Sequence, residues 1–176
     1  MELLIGAGRN HAKKIAMPEK PDWTKLVTLD INPDHEPDVL YDLKNIPLPF
    51  EDDTFDEIHA YEVLEHTGQQ GDYEFFFRQW SDFWRILKPE GFFCGTSPAR
   101  KSQWAWGDPG HTRIVSKENF IFLDQQQYAV QVGETPMCDY RWIYKADFDP
   151  VWIEEKGDMF VYVLRAIKPS RINNGN

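Results

Sequence analysis

The chain has 176 residues, of which 41% are hydrophobic and 27% are charged, and its formal net charge is −10. This composition is typical of one globular domain and excludes a disordered chain. The acidic balance argues against broad, non-specific binding of nucleic acid, which needs a basic surface. No apolar run in the sequence is long enough to predict a transmembrane span, so we expect no membrane partner.

The start of the sequence and its few cysteines indicate a cellular compartment. Met1 is followed directly by Glu2, without a basic or apolar leader, so the sequence predicts no secretory signal and a cytoplasmic protein. Only two cysteines are present, which argues against a disulfide scaffold and against a cysteine-based zinc site. We expect residues 1–169 to form a single domain and the polar residues 170–176 to form a flexible tail.

Short apolar runs that end in turn residues predict four strands in the first third of the chain. They cover residues 2–5, 26–31, 38–41 and 55–61. Between the first two strands, residues 9–17 favour either a short helix or a loop, which Pro18 ends. Residues 47–53 are rich in turn residues and predict a loop.

The clearest helix is predicted over residues 72–87, where large apolar side chains recur at helical spacing behind the N-cap residue Asp72. Residues 92–96 predict a fifth strand, and residues 117–127 predict a second helix. Two late strands are predicted over residues 128–132 and 159–167.

The alternation of strands with helices or short crossovers predicts an α/β fold with a parallel sheet and right-handed connections. Ligands of such sheets bind beyond the carboxyl ends of the strands. The residues that directly follow each strand are therefore the candidates for a binding site.

The first two candidates are a glycine turn and an acidic residue. Gly6-Ala7-Gly8 follows the first strand, and glycines there let backbone amides approach a ligand closely. Asp30 ends the second strand, where a carboxylate can accept hydrogen bonds from both ribose hydroxyls of a nucleoside. The simpler alternatives are a tight strand-to-helix turn for the glycines and a cap or turn role for Asp30.

Polar residues also follow the third and fourth strands. Asp42 can accept a hydrogen bond from an adenine amino group while Leu43 packs on the ring, although a solvated loop acid is the alternative. The fourth strand continues into the run YEVLEH, whose ionisable side chains enter the predicted cleft. Its carboxylates can orient His66, but we expect Glu65 to be a solvated surface acid.

The ordered segments LLIGAG, LDIN, DVLYDL, IPLPFEDDTFDEIHAYEVLEH and FWRILKPEGFF resemble class I S-adenosylmethionine-dependent methyltransferases. They are most similar to small methyltransferase-like proteins that phages and prophages encode. The resemblance covers residues 2–97 closely, and the segment from WAWGDPGHTR to Asp147 resembles the same phage-type group. It implies a Rossmann-like, seven-stranded, mostly parallel sheet with helices on both faces, trimmed at the N-terminus. It also implies the host cytoplasm as the location of a phage-encoded protein.

The resemblance implies S-adenosylmethionine as the cofactor, S-adenosylhomocysteine as the product, and no metal. The positions that would contact the cofactor fall at the ends of the first four strands. They are Gly6, Ala7 and Gly8 under the methionine part, Asp30 at the ribose, Ile31, Asp42 and Leu43 at the adenine, and Tyr61 and Glu62 beside the substrate cavity.

Two positions depart from the family pattern. Leu4 stands where an acidic residue is usual, and Asn10 stands where the third glycine falls. Glu62 is then a candidate acceptor for the ammonium group of the methionine part. The carboxylate of the methionine part would instead be bound by Arg9, Asn10, Lys13 or Lys14.

Residues 104–113, WAWGDPGHTR, follow the fifth strand and combine aromatic faces with acidic, imidazole and guanidinium groups. We predict that His111 is the catalytic base, because an imidazole has an unperturbed pKa of about 6.5. The residues predicted to bind the substrate are His66, Trp106, Asp108 and Arg113. The alternative is a Pro-Gly surface turn that carries an Arg–Asp pair.

The sequence therefore predicts methyl transfer to an unidentified acceptor. Two hypotheses of other classes stay open: a cofactor-binding protein without turnover, and another nucleotide-binding Rossmann enzyme such as a nicotinamide dehydrogenase. Members of the family usually have one or two helices before the first strand, and without them one side of the cofactor cleft would lack its cover. We expect residues 97–113, the insertion at residues 136–155 or a partner subunit to close this side. A homodimer is therefore one of the expected assemblies.

Overall fold

The computed structural model describes residues 1–18 and 20–172. Its strands are β1 (Glu2–Ile5), β2 (Leu26–Asp30), β3 (Val39–Leu40), β4 (Phe55–Tyr61), β5 (Leu87–Pro98), β6 (Phe148–Lys156) and β7 (Met159–Ala166). They form one seven-stranded sheet in the order β3-β2-β1-β4-β5-β7-β6. The first five strands pair in parallel, and β7 runs antiparallel to both of its neighbours. The predicted Rossmann-like, mostly parallel sheet is thus confirmed.

The α-helices of the described residues are α1 (Tyr73–Ile86), α2 (Trp104–Gly107), α3 (Lys117–Ile121) and α4 (Gln125–Gln131). Two 3₁₀-helices span Pro33–His35 and Leu64–His66. Helix α1 begins at Asp72, whose side chain accepts a hydrogen bond from the N–H of Phe75 as an N-cap does. The N-cap predicted at Asp72 is confirmed.

Aromatic side chains hold the helices against one face of the sheet. Trp80 of α1 is fully buried and packs edge-on against Phe83, Phe120 and Phe148. It also lies 4.8 Å, between ring centroids, from Phe93 of β5. Since these rings come from α1, α3, β5 and β6, they join both halves of the chain in one core.

A second, smaller core lies on the opposite face. Leu4, Cys94 and Val163 point into it from the sheet, and the segment between β1 and β2 covers it with Ile15 and Trp23. Helices were expected on both faces, but residues 6–18 and 20–25 form no α-helix here. This segment is the loop that was one of the two predictions for residues 9–17.

The C-terminal half differs from the predicted elements at several points. The helix predicted over residues 117–127 is interrupted, because α3 ends at Ile121 and α4 begins at Gln125. Residues 128–132 were predicted as a strand, but most of them belong to α4, which begins at the N-cap Asp124. The helix forms because Tyr128 is buried in the main core and its hydroxyl donates to the carbonyl of Phe122. Strand β6 was not predicted, because it is an edge strand with Pro150 and many exposed residues.

The end of the described chain is tied to the domain. Arg171, within the predicted tail, donates hydrogen bonds to the carboxylates of Asp124 and Asp147. Residues 173–176 of that tail lie outside the described residues. Among the residues that the structure describes, no helix has the length and apolar character needed to cross a membrane.

Candidate active site

The turn after β1 packs tightly on the turn after β4. Gly6 and Gly8 have φ values of +58° and +56°, which glycine adopts with little strain. A Cβ atom on Gly6 would overlap the side chain of Val63. The N–H of Ala7 donates to the carbonyl of Leu29 in β2, which ties this turn to the neighbouring strand. Both glycines therefore permit the conformation of the turn, and Gly6 also permits its close approach to Val63.

Asp30 lies at the end of β2 and faces the glycine turn. One of its oxygens accepts from the N–H of Gly8 at 2.8 Å, and the other accepts from the N–H of Asn32 at 2.8 Å. Burial alone would raise its pKa, but these bonds and the nearby His35 ring outweigh burial, so the pKa of Asp30 lies below its usual value. The residue therefore keeps a charged carboxylate at the edge of the cleft.

The side chains predicted to meet an adenine differ in exposure. Ile31 is 63% exposed directly after β2. Asp42 accepts from the N–H of Lys44 and keeps part of its surface exposed. Leu43 is mostly buried in the main core. Ile31 thus offers an exposed apolar surface to a ligand, whereas Leu43 anchors its loop to the main core.

The four polar residues predicted near the methionine part are already engaged in the protein. Arg9 donates to the carbonyl of Asp34, and the Asn10 side chain accepts from the N–H of Ala12. The Lys13 ammonium is buried in an ion pair with Glu57, 2.8 Å away. The Lys14 ammonium lies over the Tyr61 ring, 5.1 Å from its centroid. Arg9, Asn10 and Lys14 are exposed, so a ligand reaches these three without breaking the buried Lys13–Glu57 pair.

Tyr61 and Glu62 end β4 in different environments. The Tyr61 hydroxyl accepts from the backbone N–H groups of Lys14 and Ile15, and it lies 2.6 Å from a ring nitrogen of His59. These contacts place the Tyr61 side chain under the segment between β1 and β2. Glu62 has a φ of +58° and is exposed, and its N–H donates to the carbonyl of Thr96. Of these two predicted cofactor contacts, Glu62 is therefore the one whose side chain is accessible to a ligand.

Glu65 is buried, and its prediction as a solvated surface acid was wrong. It is 2% exposed, and one carboxylate oxygen accepts from the Ser97 hydroxyl at 3.0 Å. Burial, together with the charge of Glu62, raises the pKa of Glu65 to about 7. Neither Glu65 nor Ser97 was predicted to be functional. The only sequence signal was the run YEVLEH, which placed Glu65 beside predicted site residues.

The imidazole rings of His66 and His111 are in contact, and both lie close to Glu65. Their rings are 4.6 Å apart between centroids in an edge-on arrangement. His66 Nδ1 lies 3.1 Å from the carbonyl oxygen of Gly110, and His111 Nε2 lies 3.9 Å from Asp108 Oδ2. The turn at residues 108–111 is closed by a hydrogen bond from the Gly110 N–H to Asp108. The structure thus brings His66, Asp108 and His111 together, and their roles toward a substrate stay predictions.

The two other residues predicted to bind substrate have contrasting positions. Trp106 on α2 is 74% exposed and free for contacts with a ligand. Arg113 is buried, and its guanidinium donates to the Leu64 carbonyl, to Thr67 and to Gln79. Burial lowers the pKa of Arg113 to about 10. These bonds occupy the guanidinium within the protein and favour a role in holding the loop in place.

Comparisons with known proteins agree with this geometry. Residues 6–95 match the model of a family described as a methyltransferase domain. No curated protein matches the chain. The chain is similar to a solved SAM-dependent methyltransferase from Archaeoglobus fulgidus, with 16% identity and a TM-score of 0.59, over 93% of this chain and 85% of that one.

Two further solved structures show the same fold. One belongs to the complex between the Trm112 methyltransferase activator of Haloferax volcanii and a putative methyltransferase. There the identity is 14% and the TM-score 0.61, over 94% of this chain and 81% of that one. The other is the trans-methyltransferase CalH in complex with SAH, at 16% identity and a TM-score of 0.54, over 94% of this chain and 51% of that one.

Proposed function

The chain belongs to the methyltransferase-domain family, and from this premise we propose that it transfers a methyl group from S-adenosylmethionine to an acceptor that is not yet identified. The observation that carries the proposal is Asp30, a buried and charged carboxylate at the end of β2. It touches the backbone of the glycine turn after β1. A carboxylate in this place suits the two hydroxyl groups of a ribose.

The surrounding residues fit the other parts of the cofactor. Ile31 offers an apolar surface to the adenine, and Asp42 offers a carboxylate to its amino group. Gly6 and Gly8 leave room at the turn, and Glu62 supplies an exposed negative charge for the ammonium group. When bound, S-adenosylmethionine supplies a methyl group on a positively charged sulfur, so the protein mainly has to position the acceptor and exclude water.

We assign the acceptor to the end of the site formed by the turns after β4 and α2. His66, Trp106 and Asp108 lie there, together with His111, to which the sequence analysis gave the role of base. His111 is the one expected to act on the acceptor, because its ring is close to both His66 and Glu65. Arg113 supports this end from within the core.

Binding measurements test the proposal against the two hypotheses of other classes. We expect S-adenosylmethionine and S-adenosylhomocysteine to raise the melting temperature, and NAD to leave it unchanged. Isothermal calorimetry then gives the affinity for S-adenosylhomocysteine. A rise with NAD alone would favour a dehydrogenase. Binding of both sulfur cofactors, without labelled-methyl transfer to nucleotides, small metabolites or proteins, would favour a cofactor-binding protein without turnover.

Three further expectations belong to this proposal. We expect the protein to act in the cytoplasm, and the resemblance to phage-encoded proteins predicts the host cytoplasm. A phage or prophage origin stays a prediction. A homodimer also stays a prediction, and light scattering of the purified protein measures it directly.

A further inference from the structure

Three side chains that are able to bind a metal lie together at the acceptor end of the site. Glu65, His66 and His111 each offer one ligand atom, and these atoms all lie within 4.8 Å of one another. Glu65 and His66 belong to the 3₁₀-helix after β4, whereas His111 comes from the turn after α2. The fold therefore assembles the cluster from two separate segments.

Two of these side chains carry a buried polar atom that has no hydrogen-bond partner in the described part of the chain. The atoms are Oε1 of Glu65 and Nδ1 of His111. Glu65 is 2% exposed and the side chain of His111 is 8% exposed. Buried polar atoms are normally paired, because an unpaired one is costly. A cation between these two atoms would satisfy both lone pairs.

The outer contacts of both imidazoles leave one nitrogen of each ring free to bind a cation. His66 Nδ1 lies 3.1 Å from the Gly110 carbonyl, which only accepts, so Nδ1 carries the proton and Nε2 keeps its lone pair. His111 Nε2 lies 3.9 Å from Asp108 Oδ2, too far for a hydrogen bond, but the nearby negative charge favours a proton on Nε2 over one on Nδ1. Histidines that bind metals usually donate their other N–H to a carbonyl or carboxylate in this way.

We propose that Glu65, His66 and His111 bind a divalent transition-metal ion such as Zn²⁺, with an open coordination position for an oxygen of the acceptor. Two imidazoles and one carboxylate are a common ligand set of catalytic zinc sites. Zinc–ligand distances of about 2.0–2.2 Å place tetrahedral ligands about 3.3–3.6 Å apart. Small side-chain rotations therefore close the cluster around an ion. The proposal replaces the expectation that no metal is involved.

The role of this site in methyl transfer rests on the proposed function. A bound ion lowers the pKa of a coordinated hydroxyl group, so the site favours an acceptor that is methylated on oxygen. The hydroxyl proton leaves to water, and the oxygen forms a bond to the methyl carbon. The carbon–sulfur bond breaks and leaves S-adenosylhomocysteine. His111 then acts as a metal ligand instead of a base.

Calorimetric titration of the chelator-treated protein with ZnCl₂ tests the site without cofactor or acceptor. We expect one ion per chain for the wild type. Glu65→Gln, His66→Gln and His111→Gln should each weaken binding more than about 100-fold, because each removes a ligand. Asp108→Asn removes a nearby charge that is not hydrogen-bonded to His111, so it should weaken binding less than any of the three ligand substitutions does. His35→Gln removes an imidazole outside the cluster and should leave the affinity within about twofold of wild type.

Circular dichroism checks that each variant folds, and Glu65→Gln should fold because glutamine keeps the shape and removes a buried charge. The proposal is overturned if the wild type binds no Zn²⁺, or if the cluster variants bind it as the wild type does. It is also overturned if His35→Gln causes the same loss as His111→Gln. A protein that binds Zn²⁺ at this cluster but no S-adenosylmethionine would support the metal site and contradict the proposed function.

Discussion

The Asp30 carboxylate stays charged although it is buried, because backbone N–H groups surround it. Gly8 and Asn32 each donate one hydrogen bond, to different oxygens. His35 Nδ1 lies 3.2 Å from one of these oxygens. A carboxylate has about four acceptor positions, so positions remain for ribose hydroxyls. The same bonds that hold the carboxylate in place thus prepare it for a ligand.

Asp30→Ala should weaken binding of S-adenosylhomocysteine by about tenfold to a hundredfold. The substitution removes charge-assisted hydrogen bonds worth roughly 1.5–3 kcal/mol. Calorimetry measures the loss, and Asp34→Ala is the matched control because it removes an exposed carboxylate from the next turn. An unchanged affinity in a folded Asp30→Ala protein would refute the ribose role.

Gly6→Ala should destabilise the protein more than Gly157→Ala does. Both glycines have a positive φ, of +58° and +62°, which costs a residue with a Cβ about 1–2 kcal/mol. Only Gly6 would also overlap Val63, whereas Gly157 has open space. Urea unfolding measures both free energies. In a Val63→Ala background the cost of Gly6→Ala should fall towards that of Gly157→Ala. Equal costs in the wild-type background would contradict the close packing of the two turns.

At the scale of elements, the sequence predicted the strands and the helix whose formation depends mainly on local residue patterns. The bounds of β1 and β4 match the predictions, and α1 starts and ends within one residue of its predicted range. Residues 128–132 have strand-forming side chains, but the N-cap at Asp124 and the burial of Tyr128 make them helical. Tertiary contacts override propensity there, and a single sequence does not show them.

The site residues differ in the same way: those set by local sequence could be predicted, and those set by contacts between distant segments could not. Glycines and Asp30 were predictable, because each directly follows a strand. The burial of Glu65 was not, since it depends on Ser97 and on the turn that carries His111. Arg113 was predicted at the substrate, but its partners Leu64 and Gln79 are distant in sequence. Contacts between distant segments decide these positions.

Strand β4 carries a buried chain of hydrogen bonds that requires a neutral imidazole. The Tyr61 hydroxyl accepts from two backbone N–H groups, so its own proton goes to His59 Nδ1. His59 Nε2 then donates to Glu57, which also pairs with Lys13. Burial lowers the pKa of His59 and outweighs the opposite effect of Glu57. A proton on Nδ1 would break this arrangement.

His59 should therefore lower the stability of the protein as the pH falls below about 6.5, the value for an unfolded histidine. Glu65, whose pKa burial raises to about 7, contributes in the opposite direction, because it takes up a proton in the folded state first. The folded pKa of His59 is lowered, so the unfolded chain binds more protons in the window just below that value. The slope should reach at most about 1.4 kcal/mol per pH unit. Urea unfolding of the wild type and of His59→Gln between pH 5 and 8 measures this contribution as the difference between the two curves, since the contribution of Glu65 is common to both. The same slope in both proteins would contradict the neutral buried imidazole.

At the scale of the whole molecule, the sheet separates two tasks along its carboxyl edge. The ends of β1, β2, β3 and β4, the last with Tyr61 and Glu62, carry the residues assigned to the cofactor. The turns after β4 and α2 carry the acceptor residues, and they are held together by bonds from Thr112 and Arg113 to Glu65 and Leu64. The aromatic core around Trp80 fixes both halves to one sheet. Substitutions in one half should therefore leave the affinity of the other half unchanged.

His111→Ala should leave the affinity for S-adenosylhomocysteine within about twofold of wild type, because His111 contacts none of the residues assigned to the cofactor and distant sites act independently. The double variant Asp30→Ala/His111→Ala should bind as weakly as Asp30→Ala alone. Calorimetry on the four proteins forms a complete cycle, and it needs no acceptor. Metal chelation before each titration keeps the ion content equal. A tenfold loss on His111→Ala, or a double variant that binds much more weakly than Asp30→Ala, would show that His111 contributes to cofactor binding. The assignment of the two tasks to separate halves of the edge would then be wrong.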